Sequence, residues 1–174
     1  DETFLSLKVS KLRELSPAYK KHVGLPFIIE ATIPSINEEK LLLLKDMGCV
    51  SLSLGLESGS QELRKFLKKP QITNEKIIKN LKLVKKVGIS YNLFNMVGFP
   101  NETEEMIWET INLNRAVKPP YAQISHFQPW EGTPLRDYAV KEGLLDPNMS
   151  GLDNSQDTLT PSKLQGLPIS QKKV

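Results

Sequence analysis

The stretch Lys45-Asp46-Met47-Gly48-Cys49-Val50-Ser51-Leu52-Ser53-Leu54-Gly55-Leu56-Glu57 decides the fold class of this chain of 174 residues. It starts at the end of a basic, amphipathic segment, and Gly48 is the residue type that most easily takes the left-handed conformation that closes a helix. A run with the two-residue period of a β-strand follows at once. Its aliphatic face carries Val50, Leu52, Leu54 and Leu56, and its small, polar face carries Ser51, Ser53, Gly55 and Glu57. The stretch therefore predicts a helix that leads directly into a strand.

The same order of helix end, stop residue and apolar run recurs along the chain. The other stops are Gly24, Gly88 and the pair Pro119-Pro120, and the apolar runs after them cover 27–33, 89–97 and 121–128. Apolar residues at helical spacing predict the helices between these runs. The helices cover 38–47, 75–87, 103–117 and 134–141, and residues 5–23 are helical in character with a break at Ser16-Pro17.

This alternation of strands and helices predicts an α/β fold with parallel strands and right-handed crossovers. Four strands are too few to close a barrel, which usually takes about eight. The chain is therefore either an open sheet or an arc of about four parallel strands cut from a TIM-like barrel, with the helices outside. Ligand-like polar residues at the end of each strand favour the arc.

Composition excludes several classes of protein. The net charge is only +3, from 23 basic and 20 acidic residues, so no nucleic-acid-binding surface is indicated. The longest purely apolar run, 41–44, is far shorter than the ~20 residues that a membrane span needs. The first residues show no secretory signal. We expect a cytoplasmic protein without membrane association.

The single cysteine, Cys49, excludes an internal disulfide framework. It also excludes a zinc or iron–sulfur site built from cysteines of this chain alone. Because Cys49 lies at the start of a predicted strand, far from the strand's carboxyl end, we interpret it as a buried filler of the core.

In parallel α/β folds, ligands lie beyond the carboxyl ends of the strands. The second strand ends in Glu57-Ser58-Gly59-Ser60, a tight turn whose hydroxyl and N–H groups suit a ribose or a carboxylate. The third strand ends in Val97-Gly98-Phe99, where open backbone beside an aromatic ring suits a purine. The fourth ends in His126-Phe127-Gln128-Pro129, and Glu30 shares one face of the first strand with Thr32. These residues form the predicted site.

Each of these features also has an ordinary structural interpretation. The second strand can be a half-exposed strand with one wet face, and Ser58 or Ser60 can simply cap a helix. Asn101 or Thr103 can cap the helix after the third strand, and a lone His126 is more often a structural histidine than a catalyst. The sequence itself names no nucleophile, no general base and no metal ligand.

Three segments at the strand ends together carry a family resemblance. They are Gly55-Leu56-Glu57-Ser58-Gly59-Ser60, Met96-Val97-Gly98-Phe99-Pro100-Asn101-Glu102-Thr103 and Pro129-Trp130-Glu131-Gly132-Thr133-Pro134-Leu135. In this order and spacing they resemble the radical S-adenosylmethionine (radical SAM) superfamily, and in particular the branch whose members often carry an N-terminal cobalamin-binding domain.

The resemblance implies a partial (βα)6 barrel to which residues 1–145 contribute the carboxyl two-thirds, from the third strand to the sixth. It implies reductive cleavage of S-adenosylmethionine at a 4Fe-4S cluster, giving a 5′-deoxyadenosyl radical, with cobalamin as a further cofactor in this branch. A small-molecule substrate and an external electron donor such as flavodoxin or ferredoxin are implied as partners. Residues 146–174 lack aromatic residues, and we expect a polar, loosely ordered C-terminal extension.

The resemblance also implies roles for the residues at the strand ends. Glu57 and Ser58, with Ser60 in the same turn, would contact the ribose or the amino-acid part of the cofactor. The other implied contacts are Val97, Gly98 and Phe99 beside the adenine, and Gln128 and Pro129 at the last strand. Glu30 joins the predicted site only through the alternation of the first strand, which places it on the inner face. No catalytic residue and no metal ligand is assigned within the chain.

The chain departs from the family pattern in several places. The cluster motif CxxxCxxC is absent, Asn101 stands where Gly is usual, and Trp130-Glu131 stands where Tyr-Pro is usual. Ala31-Thr32 stands where many members carry Arg. Two alternatives stay open: a fragment of another TIM-like enzyme, such as an aldolase or a phosphate-binding barrel, or a non-catalytic binding module derived from such a barrel.

Overall fold

The computed structural model of the protein describes residues 3–69, 72–149 and 164. The described strands form one parallel sheet in the order β1-β2-β3-β4. They are β1 (Phe27–Thr32), β2 (Cys49–Glu57), β3 (Ser90–Val97) and β4 (Tyr121–His126). The helices are α1 (Thr3–Ser6), α2 (Val9–His22), α3 (Glu38–Met47), α4 (Gln61–Phe66), α5 (Asn74–Val87), α6 (Glu104–Val117) and α7 (Pro134–Lys141), with a 3-10 turn at Ile33–Ser35. The predicted arc of four parallel strands is confirmed.

The helix ends follow the local chemistry of the sequence. Thr73, Thr103 and Thr133 are N-cap residues whose hydroxyls accept a hydrogen bond from the backbone N–H three residues later. Gly48 and Gly88 end α3 and α5 in the left-handed conformation, with φ values of 106° and 78°. β2 and β3 therefore start within two residues of a glycine stop, as the sequence pattern predicts.

The predicted break at Ser16-Pro17 is wrong, because α2 continues through Pro17. Proline lacks the N–H that would bond to the preceding turn, so packing has to hold the helix together at this point. Leu12 and Ser16 are buried, and the Ser16 hydroxyl donates to Asp46 Oδ2 at 3.1 Å. Lys20 pairs with the same carboxylate at 2.8 Å. The contact between α2 and α3 overrides the local helix-breaking signal.

The main core lies between the sheet and helices α2, α3 and α5. It includes Leu52, Leu54 and Leu56 of β2, which are buried as their alternation predicts. Val50 was expected on the same face, but it is 47% exposed. The β1–β2 register explains the difference: Phe27 faces Cys49 and Ile28 faces Ser51, so the ladder skips Val50 and the alternation restarts after it.

The opposite face of the sheet is polar, and the strand register sets its rows. One row joins Glu30, Ser53, Asn92 and Tyr121, and the next joins Thr32, Gly55, Phe94 and Gln123. Bulky branched side chains normally fill the inside of a closed barrel. On β2 this face instead carries Ser53 and Gly55, which leave room for a ligand, whereas β3 and β4 add the rings of Phe94 and Tyr121.

A second buried cluster lies at the carboxyl ends of β3 and β4. Its members are Leu63, Phe99, Phe127, Ala139, Leu145 and Leu164. Leu164, which is 5% exposed, belongs to the segment predicted to be loosely ordered, and residues 150–163 and 165–174 of that segment lie outside the described residues. No helix in the described part of the chain is long and apolar enough to cross a membrane.

Gly59, in the turn after β2, lies directly against the backbone of α6. A Cβ atom at this position would lie 2.5 Å from both the Glu109 carbonyl oxygen and the Thr110 Cα. The Gly59 N–H donates to the Thr110 hydroxyl at 2.7 Å, and the Ser58 hydroxyl lies 3.2 Å from the same oxygen. This contact holds the end of β2 against α6, and it requires a residue without a side chain.

We expect Gly59→Ala to lower the free energy of unfolding by about 1–3 kcal/mol, because the added methyl group forces backbone to move. Denaturant titration of both proteins measures the difference. Gln61→Ala, at an exposed position two residues later, is the control and should change stability by less than about 0.5 kcal/mol. Equal stabilities of Gly59→Ala and the wild type would contradict the close contact.

Candidate functional site

A cavity of about 260 Å³ opens at the carboxyl ends of β2, β3 and β4. Its apolar walls include Met96, Phe99 and Trp130, and its polar lining includes Glu57, Lys69, His126 and Gln128. A smaller cavity of about 90 Å³ lies at the ends of β1 and β2, lined by Thr32 and Gly55 among others. Ligand pockets typically combine apolar walls with a few polar groups in this way.

Glu57 lies between the two cavities and lines both of them. The β2–β3 register shifts at this point, since Gly55 faces Phe94 and Glu57 faces Asn95. Glu57 has a φ of 63°, a left-handed conformation that is uncommon for residues other than glycine. Its carboxylate turns back over Gly55, where a Cβ atom would lie 3.1 Å from Oε1. The irregular end of the strand thus aims this carboxylate at the cavities.

Lys69 pairs with Glu57, with Nζ 3.0 Å from Oε1. The two side chains are 45% and 21% exposed, so the pair is accessible from the cavities. Lys69 comes from the connection after α4, and it was missed by the sequence analysis because it lies in none of the three motif segments. Lys69 follows no strand directly in sequence, and the fold brings its side chain to the end of β2.

The turn after β3 is organised by Glu102. Oε2 accepts hydrogen bonds from the N–H groups of Gly98, at 2.5 Å, and Phe99, at 3.2 Å. Glu102 is 4% exposed, and its Oε1 has no hydrogen-bond partner among the described residues. Burial raises the pKa of the Glu102 carboxyl to about 7. The two backbone hydrogen bonds lower this pKa, but their effect is smaller than that of burial. Oε1 is therefore the oxygen that can carry a proton without breaking a contact.

Asn101 occupies a left-handed position in the same turn, with a φ of 64°. Asparagine tolerates this conformation better than most residues, which explains how it can stand where the family has glycine. Its side-chain amide donates to the Tyr138 hydroxyl at 2.5 Å, and the Tyr138 ring lies edge-on to Phe66 at 5.1 Å. Through these contacts Asn101 links the turn after β3 to α7, and α7 in turn packs against α4.

Ser58 and Ser60 line neither cavity and are almost completely buried, at 0% and 2% exposure. The Ser58 hydroxyl contacts Thr110 and accepts from the Ser60 N–H at 3.0 Å. Arg64 donates to the Ser58 carbonyl oxygen at 2.7 Å and to Asn74 Oδ1 at 2.8 Å. In this structure both serines hold the turn together, and a contact between their side chains and a cofactor stays a prediction.

The remaining predicted site residues have different surroundings. Gln128 lines the larger cavity, whereas Pro129 is buried and its carbonyl oxygen accepts from Arg136 at 3.2 Å. Val97 is 7% exposed in the core, and Glu30 is exposed in the polar row of the sheet, away from both cavities. The structure therefore brings together Glu57, Phe99 and Gln128 around one cavity, whereas Glu30 and Val97 line neither cavity.

His126 lines the larger cavity, and both of its ring nitrogens are buried without a hydrogen-bond partner among the described residues. A satisfied structural histidine would have bonds to these nitrogens, so this feature of the structure does not favour the structural interpretation. The imidazole can offer a hydrogen bond to a bound ligand.

The described residues do not fit an iron–sulfur cluster. Across 3–69, 72–149 and 164, no group of three or more His, Cys, Asp or Glu side chains could hold a metal ion. Cys49, the only cysteine of the sequence, is 1% exposed at the amino end of β2, and burial raises the pKa of its thiol to about 11. A buried, protonated thiol is a poor metal ligand, and its position agrees with the interpretation as core filler.

The raised pKa of Glu102 predicts that stability falls as the pH rises from about 4.5 to about 7, because the native state binds more protons than the unfolded state in this window. We expect an effect on the order of 3 kcal/mol. Glu102→Gln should abolish most of it while keeping an oxygen that accepts from the turn. Denaturant titrations at several pH values between about 5 and about 8 measure the free energy of unfolding of both proteins, and hence its slope against pH.

The difference between the two slopes isolates Glu102, because every other carboxylate is common to both proteins. Hydrogen bonds lower the pKa values of Glu14, Asp46, Glu75 and Glu105, in the wild type and in Glu102→Gln alike. Equal pH slopes for the wild type and Glu102→Gln would show that Glu102 is ionised in the folded protein at all these pH values.

Comparison with known proteins identifies the family. The model of the Radical SAM superfamily matches residues 4–113. An uncharacterized methyltransferase of Pyrococcus horikoshii is 30% identical over 146 residues, which cover 83% of this chain and 31% of that protein.

Two solved structures share the fold. TsrM, a radical S-adenosylmethionine methyltransferase from Kitasatospora setae with cobalamin and a 4Fe-4S cluster bound, matches with a TM-score of 0.64 at 19% identity, over 77% of this chain and 26% of that one. Coproporphyrinogen III oxidase from Escherichia coli, a radical SAM enzyme, matches with a TM-score of 0.58 at 21% identity, over 70% and 28%.

The chain thus spans less than a third of the length of each of these three relatives. The matched region contains α2 to α5 and the first three strands, and it ends within α6. Since the family model covers more than half of the chain, and the three motif segments border one cavity, the chain belongs to the radical SAM superfamily.

Proposed function

We propose that this chain is the carboxyl part of the barrel of a radical SAM enzyme, and that it holds S-adenosylmethionine at the carboxyl ends of β2, β3 and β4. The observation that carries the proposal is the cavity of about 260 Å³ at this edge, because each of the three motif segments contributes to its wall. Glu57 comes from the first segment, Met96 and Phe99 from the second, and Trp130 from the third.

The residues of the chain would bind and orient the cofactor. Met96, Phe99 and Trp130 offer apolar surface that would exclude water from an adenosyl group. The Glu57 carboxylate would accept hydrogen bonds from hydroxyl or ammonium donors, and Gln128 would add an amide. Glu102, by holding two N–H groups of the β3 turn, would keep the cavity wall in one conformation.

The full reaction, reductive cleavage of S-adenosylmethionine to a 5′-deoxyadenosyl radical, needs a 4Fe-4S cluster that the residues described above do not fit. We therefore place the cluster ligands, and the cobalamin that TsrM binds, in parts of a longer protein outside these 174 residues. A small-molecule substrate, an external electron donor such as flavodoxin or ferredoxin, and a cytoplasmic location complete the proposal.

Equilibrium binding of S-adenosylmethionine tests the cofactor site. Glu57→Gln should weaken binding about tenfold or more, because a hydrogen bond to a charged group contributes about 1.5–3 kcal/mol. Glu62→Gln, at an exposed position of α4 that lines neither cavity, is the matched control and should bind like the wild type. Equal affinities of Glu57→Gln and the wild type would exclude Glu57 from the cofactor site.

Anaerobic reconstitution with iron and sulfide tests where the cluster ligands lie. The chain of 174 residues should not develop the absorption and electron paramagnetic resonance signals of a cysteine-ligated 4Fe-4S cluster, since it has one thiol and that thiol is buried. Cys49→Ser should behave identically. Signals that appear in the wild type and vanish in Cys49→Ser would overturn the placement of the ligands elsewhere.

A further inference from the structure

The basic residues of the chain are concentrated in one segment. Residues 61–86, which contain α4 and α5, carry nine Lys and Arg residues and two Glu residues, a net charge of +7. The other 148 residues carry 14 basic and 18 acidic residues, a net charge of −4. The small net charge of the whole chain therefore hides a strong local excess of positive charge.

Five lysines of this segment lie on the surface without a neutralising partner. We call them the basic face: they are exposed, and within the described residues their side chains make no ion pair and no hydrogen bond. They are Lys65, Lys68, Lys76, Lys79 and Lys82. Other cations of the segment differ, since Arg64 is buried and Lys86 pairs with Glu38 of α3 at 3.0 Å. The basic face thus presents its full charge to solvent.

One end of the basic face borders the candidate site. Asn74, the first residue of α5, donates to the Gly59 carbonyl oxygen at 3.0 Å, so the amino end of α5 is held beside the turn after β2. From there the face continues along the exposed side of α5, because Lys76, Lys79 and Lys82 are spaced three residues apart. None of the five lysines lines either cavity. The face is therefore next to the site and outside it.

The chemistry of the basic face favours an acidic protein over a nucleic acid. Arginine is the cation that binds phosphates in bidentate geometry, and the single arginine of 61–86, Arg64, is buried. Single-stranded nucleic acids also need aromatic rings on which bases stack. Phe66, the single aromatic residue of the segment, packs edge-on against Tyr138 at 5.1 Å. Exposed lysines without these additions steer protein encounters by charge.

The proposed function requires an external electron donor at the carboxyl edge of the sheet. Complexes between redox proteins are small and transient, and opposite surface charges bring the partners together. We propose that the basic face is the docking surface for this donor, an electron-transfer protein with an acidic surface. The inference rests on the proposed function and adds to it the place where the donor binds.

Binding of a dye-labelled flavodoxin with an acidic surface tests the proposal, with fluorescence anisotropy as the measurement. The affinity of the wild-type chain should fall about tenfold or more between about 20 mM and about 200 mM salt, because salt screens exposed charges. The double variant Lys76→Glu, Lys79→Glu should bind about tenfold or more weakly at the lower salt concentration, since it places like charges opposite the acidic partner.

A matched double variant controls for net charge. Lys8→Glu, Lys21→Glu makes the same change in charge at two exposed lysines of the α2 region, and it should change the affinity for flavodoxin by less than about threefold. Both double variants should bind S-adenosylmethionine like the wild type, because none of the four lysines lines a cavity. Circular dichroism checks that both are folded. The salt dependence of the wild type needs no variant, so it tests the proposal in any case.

The possible results are distinct. No binding of flavodoxin, binding that does not depend on salt, or an equal loss in both double variants would overturn the docking surface and leave the proposed cofactor site intact. Tighter binding of a single-stranded RNA than of flavodoxin, lost in Lys76→Glu, Lys79→Glu, would assign the basic face to nucleic acid instead. A wild-type chain that does not bind S-adenosylmethionine would overturn the proposed function and, with it, the need for a donor.

Discussion

The hydrogen-bonded ladder between β2 and β3 is the constraint on which the candidate site depends. It is parallel, so the carboxyl ends of the two strands lie at one edge of the sheet. It is also irregular at its end, where the register passes over Leu56 and Glu57 takes a left-handed conformation. A regular strand would alternate its side chains between the core and the polar face. The irregular end instead turns a carboxylate back across the strand and into the cavities.

A buried polar network keeps this edge in place from below. Thr110 of α6 accepts from Gly59, contacts Ser58 and donates to the Met106 carbonyl oxygen at 3.1 Å. One turn further along α6, the Asn114 amide donates to Asn95 Oδ1 of β3 at 2.8 Å. Buried polar groups are expensive unless each finds a partner, so such a network allows few alternative arrangements. The ends of β2 and β3 are thereby tied to the same helix.

The charged groups at the site differ sharply in their surroundings. Glu57 and Lys69 are partly exposed and form an ion pair where both line the two cavities. Glu102 is buried and accepts only from backbone, which suits a group that shapes the cavity wall. The Glu102 pKa of about 7 is a consequence of that burial. The same kind of side chain is thus partly exposed at one strand end and buried at the next.

Local signals in the sequence were sufficient for the order of the elements. Glycine stops, threonine caps and the alternation of β2 lie within a few residues of the features that they determine, so the strands, the helices α3, α5, α6 and α7 and the strand-end positions could be predicted. The short helix α4 was not among the predicted helices. The three motif segments, through their resemblance to the radical SAM superfamily, also allowed the cofactor to be predicted. Where the local signal was opposed by packing, as at Pro17, or by the register, as at Val50, the prediction failed.

The sequence by itself therefore determined the parallel α/β arc, the edge at which a ligand would lie and the absence of a cysteine-built cluster within these 174 residues. Only the tertiary structure decided which residues meet at that edge. It brought Lys69 to Glu57, placed Ser58 and Ser60 beneath the surface, and left the His126 nitrogens without partners among the described residues. The reason is physical: the first set of features depends on neighbours along the chain, whereas burial and pairing depend on contacts between segments far apart in sequence.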